Sequence, residues 1–81
     1  MSLRIAIFDD NRNIRDSISM LINTEKEFKV VGSFANVLKN LRDVESCTPD
    51  VILMDIEMPG MSGIEAVRSI KSRYPEIQIL M

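Results

Sequence analysis

Hydrophobic and polar positions along the chain form short apolar runs separated by longer, more polar stretches. Leu3–Phe8 and Val51–Met54 are almost wholly apolar and each ends at an aspartate, a pattern typical of strands that are buried on both faces. The β-branched run at 29–32 and the apolar run at 77–81 predict two more strands. The sequence therefore predicts four strands.

Three segments between these runs carry apolar residues at helical spacing, as expected for helices with one buried face. In chain order their apolar positions are Ile14, Ile18, Leu21 and Ile22; Val37, Leu38, Leu41 and Val44; and Ile64, Val67 and Ile70. Pro49, in Thr48-Pro49-Asp50, ends the second helix because proline lacks the N–H donor that a continuing helix needs. The third helix begins at Ser62, which has the capping-box pattern with Glu65. The dipeptide at 74–75, Tyr-Pro, ends it.

Strands that alternate with single helices predict an α/β fold: a parallel sheet with right-handed crossovers and helices on both faces. The 81 residues are enough for at most one small domain. The composition, 46% hydrophobic and 27% charged, is that of a soluble globular protein. No apolar run approaches the ~18 residues of a membrane span. No signal-peptide pattern follows the start, so we expect a cytoplasmic protein without membrane contact.

The charged and titratable residues exclude several classes of function. The net charge is -2 and the 10 basic residues are scattered, so direct binding to nucleic acid is not expected. The lack of histidine excludes histidine metal sites, histidine-activated nucleophiles and phosphohistidine carriers. Cys47 is the only cysteine, which rules out an intramolecular disulfide and favours a reducing compartment. We expect Cys47 to be a bystander near a helix end.

Aspartates stand at the ends of two of the predicted strands. Asp9 and Asp10 follow the first strand, and Asp55 follows the third. Ligands bind at the carboxyl ends of the strands of an open parallel sheet, so these three carboxylates converge if the two strands are neighbours. Because such charges repel one another, a hard divalent cation is expected between them, and Mg2+ prefers carboxylate and phosphate oxygens. A carboxylate beside that metal can act as a nucleophile toward phosphorus.

Each of these features has a simpler interpretation when it is taken alone. An Asp-Asp pair after a strand is often a turn with a helix N-cap, and an aspartate at a strand end commonly accepts hydrogen bonds from loop N–H groups. The tripeptide at 58–60, Met-Pro-Gly, is a turn pattern, and the six methionines are scattered as core residues are. The combination favours a phosphoryl-accepting site: an acidic pair, an aspartate two strands later, and a Pro/Gly loop after it.

That combination resembles the receiver domain of bacterial two-component response regulators, with the most specific likeness at 49–63 and similarity from Arg4 to Met81. The resemblance implies a three-layer, flavodoxin-like parallel sheet with strand order 2-1-3-4. It implies that Asp55 is the phosphoacceptor, which receives its phosphoryl group from a histidine kinase or phosphotransfer protein. Receiver domains are signalling modules rather than enzymes. The strand at 30–32 and the helix end at 69–75 most resemble receivers that are joined to LuxR-type transcription domains.

The resemblance also implies further roles at the site. Asp10 and Asp55 correspond to direct Mg2+ ligands, and Asp9 corresponds to a water-mediated helper. The backbone carbonyl of Glu57 corresponds to a third protein ligand, and its carboxylate lies where it orients or repels the attacking water. Glu57 is therefore expected to tune the lifetime of the aspartyl phosphate. Pro59 and Gly63 correspond to positions that shape the loop.

The family pattern continues beyond the fourth strand with a Ser or Thr, a helix, a fifth strand that ends in Lys, and a last helix. Residues 1–81 are therefore expected to be a partial receiver (β1-α1-β2-α2-β3-α3-β4) that lacks the last strand and the last two helices. Its acidic half is present, and the hydroxyl and lysine that contact the phosphoryl group are not. An exposed fourth strand predicts a homodimer or a strand-exchanged oligomer.

Two other functions are compatible with parts of the pattern. A haloacid-dehalogenase-type hydrolase also uses an aspartate nucleophile, but it places Asp-x-Asp after its first strand, whereas Asp55-Ile56-Glu57 follows the third. A pure interaction module would keep the fold without the chemistry, and the presence of Asp9, Asp10 and Asp55 disfavours that alternative.

Overall fold

The computed structural model describes residues 2–58 and 60–81, which form four strands and three helices in strict alternation. The strands are β1 (Leu3–Phe8), β2 (Phe28–Phe34), β3 (Val51–Met54) and β4 (Gln78–Leu80). The helices are α1 (Arg12–Asn23), α2 (Asn40–Cys47) and α3 (Gly63–Arg73). The predicted α/β class is confirmed.

The strands form one parallel sheet in the order β2-β1-β3-β4, the order that the family resemblance implied. Phe8 at the end of β1 is in register with Met54 at the end of β3, so both strands finish at the same level. The pairing of β1 with β2 shifts by one residue between Ile5 and Ala6, where β2 carries an extra residue. The sheet therefore brings the residues after Phe8 and Met54 together.

The main hydrophobic core lies between the sheet and the pair formed by α2 and α3. Side chains alternate between the two faces of a strand, so Ala6 and Phe8 share this face with Ile52 and Met54. Phe8 is fully buried, and its ring stacks on that of Phe34 at 4.9 Å between centroids. Since Phe8 directly precedes Asp9, this packing fixes the strand end that carries the acidic pair.

The other face of the sheet carries α1 and is less covered. Ile7 and Leu53 point to this face, where they line a cavity together with Ile18 of α1. None of the residues of α1 is buried, and Leu21 from its predicted apolar stripe is 71% exposed. Leu80 of β4 is 59% exposed. This side of the sheet therefore presents apolar side chains to solvent.

Three elements have boundaries that differ from the sequence prediction. The second helix begins at Asn40, after Val37 and Leu38, because the Asn36 side chain accepts a hydrogen bond from Leu38 N (3.1 Å) and forms a turn there. Val37 is fully buried in that turn and Leu38 is exposed, so their apolar character reflects a loop that packs on the core. The second strand is longer than residues 29–32, and the fourth is shorter than residues 77–81.

Cys47 is the last residue of α2 and is buried, in keeping with its expected place at a helix end. Burial raises the pKa of its thiol above the ordinary value. The Arg4 guanidinium donates hydrogen bonds to the carbonyl oxygens of Cys47 (2.7 Å) and Thr48 (2.9 Å), which ties the end of α2 to β1. None of the helices in residues 2–58 and 60–81 has both the length and the hydropathy that a membrane crossing needs.

Candidate acidic site

The carboxyl ends of β1 and β3 bring together the three aspartates that the sequence singled out. Asp55 N donates a hydrogen bond to the carbonyl oxygen of Phe8 (2.9 Å), which continues the pairing of the two strands by one residue. One carboxylate oxygen from each of Asp9, Asp10 and Asp55 lies within 4.8 Å of the others. Asp9 and Asp55 are half-buried and Asp10 is exposed, so the group is open to solvent on one side.

Asp9 is held by three hydrogen bonds, two at its backbone and one at its carboxylate. Its N–H donates to the carbonyl oxygen of Phe34 at the end of β2 (3.0 Å). Its Oδ1 accepts from Asn11 N (2.9 Å), and its carbonyl oxygen accepts from the Arg15 guanidinium (2.7 Å). Asn11 is also the N-cap of α1, so the turn that carries the acidic pair leads directly into that helix.

The loop after β3 packs tightly against the start of α3. Gly63 N donates to the carbonyl oxygen of Ile56 (2.8 Å), and Gly63 is buried. A Cβ at Gly63 would overlap the carbonyl oxygen of Asp55 and lie 3.0 Å from Ile56 Cα. Glycine is thus required for this close approach of two backbones, whichever side chain chemistry the site performs.

The predicted N-terminus of α3 is present, but it differs from a capping box in one hydrogen bond: the Glu65 carboxylate accepts from the Ser62 hydroxyl instead of from the Ser62 backbone N–H. Ser62 is the N-cap, and its hydroxyl oxygen accepts from Glu65 N (3.2 Å). The Glu65 carboxylate lies 3.4 Å from the same hydroxyl oxygen and accepts a hydrogen bond from it. The cap fixes the direction in which α3 leaves the site.

Glu57 lies at the rim of the acidic site. Its side chain is exposed and lines a cavity of about 500 Å³ together with Asp10, Ile56, Met58 and Ser62. Glu57 N also donates a long hydrogen bond to Asp55 Oδ1 (3.4 Å). The role of the Glu57 carbonyl as a ligand stays a prediction, and Pro59 lies outside the described residues.

The donor set of this site fits a hard divalent cation. It consists of three carboxylates, the ligands that Mg2+ prefers, and its open side leaves room for the waters that Mg2+ retains. Within the described residues the one ion pair joins Arg12 to Asp16 (3.6 Å) and includes none of the three aspartates. Their mutual repulsion is therefore not relieved by a salt bridge, and a bound cation would relieve it.

Sequence reasoning missed two residues that support the site from outside. Arg15 binds the carbonyl oxygen of Asp9 through Nη1 and the Ser33 hydroxyl through Nε (3.1 Å). No sequence pattern links an arginine to a carbonyl six residues earlier, or to a serine in the next strand. The one sequence feature consistent with this supporting role is the position of Arg15 in the first turns of α1, close to the acidic pair.

A family model for the response regulator receiver domain matches residues 5–81. Transcriptional regulatory protein DegU from Brevibacillus brevis is 38% identical over 79 residues, which are 98% of this chain and 34% of DegU. The response regulator domain of Thermotoga maritima CheB superposes with a TM-score of 0.87 at 35% identity, over 93% of this chain and 56% of that one. A LuxR-family response regulator from Aurantimonas sp. SI85-9A1 gives a TM-score of 0.88 at 32% identity, over 98% and 56%.

These matches cover nearly the whole chain, whereas the chain spans little more than a third of DegU and a little over half of each solved structure. The strand order of the sheet and the acidic ends of β1 and β3 lie inside the matched region. The chain therefore belongs to the response regulator receiver domain family of two-component signalling.

Proposed function

We propose that this chain is the phosphoacceptor module of a two-component phosphorelay and that it takes its phosphoryl group on Asp55. Phosphorylation on aspartate is a general property of receiver domains. The observation that supports the assignment to Asp55 is the convergence of three carboxylates within 4.8 Å at adjacent strand ends. Asp55 is the member at the end of β3, beside the loop whose backbone packs on α3.

In the proposed reaction, an oxygen of Asp55 attacks the phosphorus of a phosphohistidine on a kinase or phosphotransfer protein, or of a small phosphodonor. The bond from phosphorus to the donor breaks, and the donor leaves with its electron pair and takes up a proton. Asp10 and Asp55 would hold Mg2+ directly, Asp9 would hold it through water, and the carbonyl of Glu57 would complete the protein ligands. Mg2+ held there would supply positive charge that offsets the charge of the transferring group.

The proposed output is transcription, through a domain outside residues 1–81. DegU is named a transcriptional regulatory protein, and the Aurantimonas structure is of a LuxR-family regulator. We propose a LuxR-type output on that basis, and a cytoplasmic location because histidine kinases deliver phosphoryl groups there. The chain itself acts as a signalling module without catalytic turnover of a substrate and without direct contact with DNA.

The test of this proposal is phosphorylation by a small phosphodonor. With Mg2+ and acetyl phosphate the protein is expected to gain one acid-labile phosphoryl group, seen in the intact mass, and Asp55→Asn is expected to gain none. Asp16→Asn is a matched control because Asp16 is an exposed aspartate on α1, paired with Arg12 outside the site. Phosphate uptake that persists in Asp55→Asn contradicts the assignment. Sustained turnover of p-nitrophenyl phosphate would instead indicate a hydrolase.

Glu57→Ala is expected to slow dephosphorylation of the phosphorylated protein. An exposed carboxylate at the rim of the site orients the attacking water only loosely. The effect should therefore be smaller than the roughly hundredfold of a well-positioned general base. Loss of the phosphoryl group with time is followed by intact mass. Glu76→Ala, an exposed glutamate near the amino end of β4, is the control. An unchanged or faster rate in Glu57→Ala contradicts the water-orienting role.

We further propose that the 81-residue chain associates with itself through β4. β4 is an edge strand whose free backbone groups can pair with a second chain, and Leu80 on it is 59% exposed. Sedimentation is expected to show a mass that rises with concentration, and Leu80→Lys should lower it because an edge lysine opposes strand pairing. Leu38→Lys, at an equally exposed leucine outside the sheet, is the control. A monomer at high concentration excludes this association.

A further inference from the structure

The side chain of Arg15 makes two hydrogen bonds that the sequence pattern did not predict. It leaves α1 and donates from Nη1 to the carbonyl oxygen of Asp9 (2.7 Å) and from Nε to Ser33 Oγ (3.1 Å). The Arg15 residue is half-buried, unlike its neighbour Arg12, whose side chain is 84% exposed and paired with Asp16. Arg15 thus bridges three elements: the end of β1, the end of β2 and the first turns of α1.

The carbonyl oxygen that Arg15 holds belongs to the peptide that links Asp9 to Asp10. Fixing this oxygen fixes the plane of that peptide, and with it the directions in which the two carboxylates leave the backbone. The neighbouring bonds hold other atoms of Asp9: its N–H is bound to Phe34, and its Oδ1 is bound by Asn11 N. Within residues 2–58 and 60–81, Arg15 is the one side chain that hydrogen-bonds to the peptide between the two acids.

The rest of α1 does little to fix this geometry. None of its residues is buried, and its main packing partner is β2. A guanidinium offers several donors in a rigid fork, so it can hold a carbonyl and a hydroxyl at once, whereas a lysine ammonium is a point charge on a flexible stem. The bridge from Arg15 to Ser33 therefore sets where the start of α1 stands relative to the acidic pair.

We infer that Arg15, seated on Ser33, is a positioning residue that orients Asp9 and Asp10 for divalent cation binding. This inference rests on the proposed function, because it requires that the three aspartates hold Mg2+. The hydrogen bonds of Arg15 go to the carbonyl oxygen of Asp9 and to the Ser33 hydroxyl, not to a carboxylate of the acidic site. Arg15 acts through the backbone of Asp9, as the outer-shell partners of metal ligands do elsewhere.

The direction in which Mg2+ affinity changes when Arg15 is removed distinguishes a positioning role from simple charge repulsion. A guanidinium beside a cation site repels the cation, so its removal should tighten Mg2+ binding if charge alone matters. If Arg15 positions the ligands, its removal should weaken Mg2+ binding despite the lost repulsion. Loss of an outer-shell partner typically costs roughly 10- to 100-fold in metal affinity. We expect the lower end of that range, about tenfold, because the charge effect acts in the opposite direction.

The experiment is calorimetric titration of Mg2+ into the wild-type chain and into Arg15→Ala, Arg15→Lys, Ser33→Ala and Arg12→Ala, with urea unfolding of each protein in parallel. Arg15→Ala and Arg15→Lys should weaken binding, since lysine keeps the charge and loses the fork. Ser33→Ala should weaken it less. Arg12→Ala removes the same charge from the same helix and should leave the affinity unchanged or slightly tighter.

The possible outcomes distinguish this inference from the proposed function. If the wild-type chain binds no Mg2+, the proposed function and this inference both fail. If the wild-type chain binds Mg2+ and folded Arg15→Ala binds it equally or more tightly, the positioning role alone is overturned, whatever the variant loses in stability. If Arg15→Ala is unfolded, the Mg2+ affinities of Arg15→Lys and Ser33→Ala test the inference instead. Wild-type affinity in both of these variants would overturn it.

Discussion

Gly63→Ala is expected to destabilise the protein more than any other change of a single methyl group in the loop after β3. The new Cβ would overlap the carbonyl oxygen of Asp55 and come within 3.0 Å of Ile56 Cα. Both obstacles are backbone atoms, so no side-chain rotation relieves them. Overpacking of this kind typically costs about 1–3 kcal/mol and sometimes more. We expect a loss of at least about 2 kcal/mol, a large share of the total for a small domain.

Urea unfolding monitored by circular dichroism measures this loss, and Gly60→Ala is the matched comparison. Gly60 has φ of +90°, and a Cβ there would meet Leu38 Cδ2 at 2.7 Å, the end of a flexible and exposed side chain. Its cost is therefore mainly conformational, about 1–2 kcal/mol. Equal stability of Gly63→Ala and the wild type would contradict the close backbone approach beside Asp55.

Asp10→Ala is expected to abolish most of the affinity for Mg2+. Loss of an outer-shell partner costs roughly 10- to 100-fold in metal affinity, and loss of a direct ligand should exceed that. Asp9→Ala, which removes a water-mediated contact, should fall within the range. Without Mg2+ we expect the opposite effect on stability: removing the Asp10 carboxylate relieves the repulsion among three acids within 4.8 Å, so the free energy of unfolding of Asp10→Ala should exceed that of the wild type.

Calorimetric titration measures the affinities. Urea unfolding with and without Mg2+ measures the difference in free energy of unfolding between Asp10→Ala and the wild type under each condition. Asp16→Ala is the control, since an exposed ion pair contributes little to stability and Asp16 lies outside the site. Two results would count against the assigned ligands: equal affinities of Asp10→Ala and the wild type, or a loss in Asp9→Ala that exceeds the loss in Asp10→Ala.

The parts of the fold that the sequence predicted are those that depend on repeated local pattern. The continuous apolar run at Val51–Met54 predicted a central strand, and pairing with β1 on one side and β4 on the other explains it. The convergence of Asp9 and Asp55 followed from the rule that parallel strands end at the same edge of a sheet, together with the strand order that the family resemblance implied. Neither prediction needed a specific side-chain contact.

The parts that the sequence did not predict depend on single tertiary contacts. Val37 has the spacing of a helical residue, but the Asn36 turn places it before α2 as a buried loop residue. Arg15 resembles any exposed helix arginine in the sequence, and its role appears only when β2 brings Ser33 beside α1. Single contacts of this kind do not alter the spacing of apolar residues along the chain, so hydrophobic patterning does not reveal them.

Titration of beryllofluoride, a phosphoryl mimic, tests most directly whether Asp55 accepts a phosphoryl group. In the presence of Mg2+ the protein should bind one beryllofluoride per chain, and binding should raise its free energy of unfolding by mass action. Binding should disappear without Mg2+ and in Asp55→Ala, and it should persist in Asp16→Ala. Absence of binding to the wild-type protein, or binding that survives Asp55→Ala, would contradict the assignment of Asp55 as the phosphoacceptor.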